Sequence, residues 1–166
     1  TNIPPHNLGE VVDGIVAYIN DESIGFEELI GHIKSPDFPT GGIICGTSGA
    51  KMAYRTGRGK VVVKAKTSFE DRKIIVHEIP YMVNKSNLLE NMASLVKSGI
   101  IPDISDLRDE SDRDGMRVVI ELKKSADEQL VLNQLFKHTS LRSSFGIMLL
   151  ALHDNKPAVM NLKEII

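Results

Sequence analysis

Tryptophan is absent from the 166 residues, cysteine occurs once, and five Phe and three Tyr are spread thinly through the chain. A single cysteine excludes a disulfide framework and any Cys-based zinc site. No apolar run approaches the ~18 residues that a membrane span requires. No basic segment followed by an apolar one opens the chain, so the expected location is cytoplasmic. Residues 1–33 contain no Lys or Arg but six acidic side chains. Residues 47–68 show the reverse, six basic side chains and no acidic one. The net charge of −2 excludes an evenly basic coat, although an average can hide a patch.

Charged residues make up 25% and apolar residues 42% of the chain, which argues against disorder. A chain of this length fits one domain, or a small domain with an extension, and buries about two thirds of its unfolded surface. It opens Thr1-Asn2-Ile3-Pro4-Pro5 without an initiator Met and closes on Asn161-Leu162-Lys163-Glu164, which reads as a helix just begun. The expectation is therefore a piece of a longer chain.

Apolar periodicity organises the middle. Leu8, Val11, Val12, Ile15, Val16 and Ile19 form one helical stripe, with Asn7 as N-cap and Glu10 three residues on. A short helix follows at 26–33, then a short buried strand at 43–45 and a short helix at 48–54. The run 60–66 alternates, with Val61, Val63 and Ala65 on one face and Lys60, Val62, Lys64 and Lys66 on the other. It is expected to form a hairpin with 73–79 across 68–72. Helices are predicted at 86–97 and 127–137, a half-buried strand at 116–122, and a last strand pair at 145–152 and 157–160 across Asp154-Asn155-Lys156. Short hairpins among irregularly alternating helices predict an α+β fold, an antiparallel or mixed sheet with helices packed on one side.

Most enzyme signatures are missing. The segment Gly46–Met52 lacks the Gly-Lys-Ser/Thr ending of a phosphate loop. The five histidines show no metal spacing. Cys45 lies in an apolar run and is expected to be a buried, inert thiol. The acidic cluster Asp103, Asp106, Asp109, Glu110, Asp112 and Asp114 invites a magnesium reading. Arg108 and Arg113 interleave it, however, and a loop of salt-bridged turns is the better account.

Two features remain open on pattern alone. The basic stretch is either a solvated strand face or a phosphate-contacting surface, with Arg58 between Gly57 and Gly59 where backbone can approach a polyanion closely. Ile3 is either a hydrophobic staple to the first helix or a rigidly held wedge that enters between base pairs.

Several separate segments carry a resemblance. These are residues 1–8 (Thr-Asn-Ile-Pro-Pro-His-Asn-Leu), Pro36–Thr40, Tyr54–Lys60, His77–Tyr81 with Val83-Asn84-Lys85, Leu107–Asp112 with Asp114–Arg117, Ser144–Gly146 and Asn161–Glu164. Together they span essentially the whole chain, which resembles the A subunits of bacterial-type type IIA DNA topoisomerases, the gyrase and topoisomerase IV group. The resemblance implies a tower-like domain, with residues 1–7 as the linker from a winged helix and 161–166 as the start of a coiled-coil helix. It implies double-stranded DNA as a partner, an A-subunit homodimer and the gyrase B subunit in the parent enzyme, and magnesium and ATP in that complex. It places the family's nucleophilic Tyr before this stretch, so that Tyr18, Tyr54 and Tyr81 are not catalytic candidates. The candidate DNA-binding residues are Ile3 as the inserted wedge, Arg58, Lys60 and Lys64 along the flanking duplex, and Asn84 and Lys85 at a helix start suited to a phosphate. His6 is a further candidate contact, or a cap. The competing reading is a structural spacer between winged helix and coiled coil, with little DNA contact of its own.

Overall fold

The computed structural model describes residues 2–166; Thr1, the first residue of the expected linker, lies outside them. In chain order the elements are α1 (Leu8–Asn20), α2 (Phe26–His32), β1 (Ile43–Ile44), α3 (Ser48–Thr56), β2 (Arg58–Lys64), β3 (Lys66–Glu70) and β4 (Lys73–Glu78). There follow α4 (Lys85–Lys97), β5 (Ile104–Asp109), β6 (Val118–Leu122), α5 (Glu128–His138), β7 (Arg142–Met148), β8 (Leu150–His153), β9 (Lys156–Val159) and α6 (Leu162–Ile165). Three sheets form, with strand orders β1-β2-β7, β3-β4-β6-β5 and β8-β9. The residues divide into two compact units, one of 2–39, 44–62 and 144–166, the other of 40–43 and 63–143.

The second unit is the α+β layer that the sequence predicts. Its four strands pair antiparallel, and one sheet face carries Ile74, Val76, Val118, Ile120 and Leu122. Leu88 and Met92 of α4, and Val131, Leu132 and Leu135 of α5, close over that face in a single core. Both helices start where expected. Asn84 caps α4 by accepting from the Asn87 N–H, and Asp127 caps α5 by accepting from the Leu130 N–H.

Three expectations in this unit change. The hairpin that closes on β4 uses 66–70 as its first arm, not 60–66. The chain turns at Asp71 and Arg72, whose φ values of 41° and 62° are the paired left-handed conformation of a tight two-residue turn. That turn fixes the register and leaves 58–64 to another sheet. Strand β6 is not half-buried: Val119, on the opposite face of the strand, is as buried as Val118 and Ile120. The acidic segment is not a loop throughout; 104–109 is an edge strand, its ladder satisfied by β6.

In the first unit, α1 spans the predicted residues, but only one edge of its apolar stripe packs, with Val11 and Ile15 half-buried. Leu8, Val12, Val16 and Ile19 are exposed, and the helix buries Gly14. A Cβ at Gly14 would come within 2.7 Å of the Ile33 side chain. The close approach of α2 therefore lies about a third of a turn from the stripe. Strand β1 is not buried either. It is a two-residue edge strand with Ile43 43% exposed, and Cys45, just beyond it, is exposed rather than buried. The single strand expected over 145–152 is two. It breaks at buried Leu149, whose N–H donates to Gly57 O and whose carbonyl accepts from Met160 N–H. Strands β8 and β9 then close across Asp154 and Asn155, again with φ of 49° and 61°. At α6 the capping box is complete. Asn161 accepts from Glu164 N–H, and Glu164 accepts from Asn161 N–H.

Candidate nucleic-acid interface

The candidate residues fall in both units. Ile3, Arg58 and Lys60 belong to the first unit; Lys64, Asn84 and Lys85 belong to the second.

The approach to Ile3 is held by its backbone. Asn2 O accepts from Met148 N–H at 2.9 Å, and Pro5 O accepts from Asp37 N–H at 2.9 Å. Between them, the His6 ring donates from Nδ1 to Pro4 O at 2.8 Å. A carbonyl can only accept, so Nδ1 carries the proton. In the neutral ring Nε2 is then an acceptor, and it takes the Tyr54 hydroxyl at 2.7 Å. Burial lowers the His6 pKa from its ordinary value, against the opposing fields of Glu10 and Asp37 and the bond to Pro4. Burial raises the phenol pKa of Tyr54, so the hydroxyl keeps its proton. His6 is therefore neither a helix cap nor a free contact. Tyr54 is wholly buried.

Ile3 itself is 36% exposed. One side of it lines a cavity of about 220 Å³ shared with Val11 and Ile15 of α1 and with Tyr54. On another side it meets a depression formed by Asn2, Met148 and Leu150. Ile3 thus faces α1 across a cavity, which leaves room for the staple reading, and its exposed remainder matches the wedge reading. Sequence reasoning misses Met148 and Leu150, because strand alternation alone does not reveal that the N-terminal segment runs beside them.

Arg58 and Lys60 stand two residues apart on β2 and are both exposed, while Val61 and Val63 are buried on the opposite face. Among the described residues neither forms an ion pair, and neither does Lys64 at the end of the strand. The other cations of the basic stretch are engaged. Arg55 bonds Glu27 at 2.8 Å and lies over the Phe26 ring, Lys51 reaches the same carboxylate at 4.0 Å, and Lys66 faces Glu78 at 3.6 Å. The glycines around Arg58 serve the interior instead of opening the backbone to a polyanion. Gly57 ends α3 at φ 76°, where a Cβ would strike Met160 O at 2.6 Å, and Gly59 lies against α3.

Asn84 and Lys85 do stand at the start of α4, but both side chains are occupied. The Asn84 amide oxygen accepts from Asn87 N–H at 3.0 Å, and Lys85 bonds Asp109 at 2.7 Å. That lysine, with the Ser111 groups, holds the Asp109 carboxyl down at about 2. Asp106 and Glu110 of the acidic segment are likewise paired from within. Arg108 reaches Asp106, Glu110 and Glu121, and Arg117 joins Glu110 to Glu70. Arg117, rather than Arg113, is the second basic partner.

This is an α+β protein with a small set of unpaired cations and a mounted apolar side chain, a combination suited to holding a polyanion. The family model for the A subunit of DNA gyrase and topoisomerase IV matches residues 1–166. The DNA gyrase A subunit of Clostridium acetobutylicum is 58% identical over 171 residues, covering 100% of this chain and 21% of the relative. The DNA gyrase A subunit of Escherichia coli K12 is 56% identical over 172 residues, covering 100% of this chain and 20% of the relative. That of Campylobacter fetus is 49% identical, with 100% and 20% covered. The chain thus belongs to the family of DNA gyrase and topoisomerase IV A subunits, and it spans about a fifth of the length of these relatives.

Proposed function

We propose that this chain is a DNA-holding and DNA-bending segment of a type IIA topoisomerase A subunit. The observation that carries the reading is the pair Arg58 and Lys60, exposed on one strand face and without ion pairs among the described residues, in a stretch free of acidic residues. Cations placed so release counterions when they meet phosphates and supply affinity that does not depend on sequence. Lys64, half-buried at the end of the same strand and without an ion pair among the described residues, is a third candidate cation. Ile3 is the apolar wedge that unstacks one base step. Bending a short duplex costs on the order of 1–6 kcal/mol, so phosphate contacts on the flanking DNA must share that cost with the wedge.

In this reading the parent is an A-subunit homodimer that works with the gyrase B subunit in the cytoplasm. It breaks, passes and rejoins double-stranded DNA at the expense of ATP. The described residues do not fit the magnesium ion of that reaction, since no group of three or more ligand side chains gathers among them and Asp106, Asp109 and Glu110 of the acidic segment are bonded to Arg108, Arg117 and Lys85. The ion, the nucleotide and the nucleophile are assigned to other parts of the complex.

A fluorescence-anisotropy titration of the chain with a duplex of about 30 base pairs at several salt concentrations, beside Arg58→Ala/Lys60→Ala, tests the proposal. The double variant should bind with a log–log salt slope shallower by about 0.9 per lost phosphate contact. Equal slopes would remove β2 from the interface. The spacer reading draws support from the internal bonds of Asn84, Lys85 and Lys66. It would be favoured by an absence of binding even at low salt.

A further inference from the structure

The segment around Ile3 is mounted at more points than a linker needs. The Asn2, Pro4 and Pro5 carbonyls each accept a hydrogen bond from a different part of the first unit. Two of those donors are backbone N–H groups, which any residue at 148 or 37 other than proline would supply. The third is a side chain: it holds the carbonyl of the residue after Ile3, as the Met148 N–H holds that of the residue before it. The His6 ring folds back onto Pro4 O, and its far nitrogen is fixed in turn by a buried hydroxyl from α3. Pro4 and Pro5 restrict φ on the C-terminal side of Ile3, so the carbonyl position governs where the side chain points. An apolar side chain that must enter a base step gains from such a mount, because a group already held in its bound orientation loses less freedom on binding.

We propose that His6 and Tyr54 are positioning residues for DNA bending: Tyr54 orients the His6 ring, and His6 holds the Pro4 carbonyl so that Ile3 is presented to the duplex. The proposal rests on the wedge reading of Ile3 given above. Neither residue touches DNA in this arrangement. Tyr54 is wholly buried and His6 is half-buried. Both His6 ring nitrogens and the Tyr54 O–H are spent on each other and on Pro4. The tautomer is part of the device. With Nδ1–H committed to a carbonyl, only a donor such as the phenol can satisfy Nε2, and phenylalanine at 54 would keep the ring but leave that nitrogen unpaired.

The test is a double-mutant cycle in the full-length protein, in complex with the other component of the enzyme. Bending of an end-labelled duplex is read by FRET, and affinity by its salt slope. Tyr54→Phe should lower the bent-to-unbent ratio about fivefold, as expected for one buried hydrogen bond. It should leave the salt slope unchanged, since the β2 cations are untouched. Ile3→Ala should lower the ratio by at least as much. In the Ile3→Ala background, Tyr54→Phe should have no further effect, because nothing is left to position. Equal losses in both backgrounds would mark Tyr54 as merely structural and overturn the proposal. So would wild-type bending by Tyr54→Phe while Ile3→Ala bends poorly. Wild-type bending by Ile3→Ala would instead sink the wedge reading itself. If Tyr54→Phe does not yield folded protein, His6→Ala takes its place in the same cycle with the same outcomes.

Discussion

Gly49 and Gly59 meet backbone to backbone: a Cβ on Gly59 would lie 2.5 Å from Gly49 O, and one on Gly49 would fall on the carbonyl of Lys60. Helix α3 and strand β2 approach this closely only because both residues lack side chains. The contact fixes the strand that carries Arg58 and Lys60. Gly49→Ala should gain about 0.5–1 kcal/mol in helix propensity. It should lose more, on the order of 1–3 kcal/mol, because the obstruction is backbone that cannot rotate aside. A net fall of several degrees in Tm is expected. Gly31→Ala is the control. It lies within α2 with nothing near its Cβ position, so the same substitution there should raise Tm.

The Asp154-Asn155 turn between β8 and β9 gives a second test. Both residues hold positive φ, which glycine adopts freely and β-branched residues resist. Asn155→Gly should be neutral or slightly stabilising. Asn155→Val should cost on the order of 1–3 kcal/mol, the usual range for a sparsely populated backbone region. Chemical denaturation of both variants measures the difference. A stable Asn155→Val protein would show that the hairpin can close through another turn.

These turns also show what is legible in a sequence. Apolar periodicity locates the helices, because caps such as Asn84 and Asp127 act within three residues of themselves. The β8–β9 hairpin is visible for the same reason. Where a strand finds its partner is not. The run 60–66 alternates while 66–70 (Lys-Thr-Ser-Phe-Glu) does not, yet the turn at Asp71 and Arg72, both at positive φ, closes 66–70 on β4. The stripe on α1 names an apolar face of which only the Val11–Ile15 edge is covered, since a glycine at 14 sets the packing side. At the candidate site, charge counting picks out Arg58 and Lys60. It cannot foresee that Lys85 meets Asp109, 24 positions away in sequence. The pairing of His6 with Tyr54 has no local signal at all.

The Lys85–Asp109 ion pair predicts an acid limb in stability. The Asp109 pKa is depressed in the folded state, chiefly by the bond from Lys85. A depressed carboxylate contributes stability above its unfolded pKa, near 4, and loses it as pH falls toward the folded value of about 2. Lys85→Met should therefore flatten the stability profile between those limits. The effect should be modest, because both side chains are about a third exposed. If Lys85→Met leaves that limb unchanged, the ion pair is not held in solution and the lysine is available to a phosphate.

Arg108 is the hub of the charged face of the second unit, bonded to Asp106, Glu110 and Glu121. It also stands opposite buried Val119 in the ladder. Arg108→Ala leaves three carboxylates near one another without their cation, so Tm should fall. The drop should shrink in 1 M salt, where the repulsion is screened over about 3 Å. Arg108→Lys should recover only part of the loss, since an ammonium cannot fork between carboxylates as a guanidinium does. A salt-independent drop would place the role of Arg108 in packing instead of charge.

His6 makes the pH dependence of the first unit predictable in sign. Its folded pKa lies below the ordinary value of 6.5, with burial as the main cause. Between the folded and unfolded values the unfolded chain binds more protons, so stability rises with pH. The contribution of neutral His6 is complete above about pH 6.5 and is lost as pH falls through the folded value. The groups facing the ring are Tyr54 from α3, Glu10 from α1 and Asp37 from the loop after α2. The two carboxylates oppose the shift, so Glu10→Gln should lower the His6 pKa further and move the loss to lower pH. Tyr54→Phe should act in the other direction, because removing the donor to Nε2 removes a bond that favours the neutral ring. Thermal unfolding followed from pH 8 to pH 5 in the three proteins reads both shifts. If stability rose as pH fell through this range, His6 would be cationic in the fold, and the assignment of Nε2 as acceptor from Tyr54 would have to be abandoned.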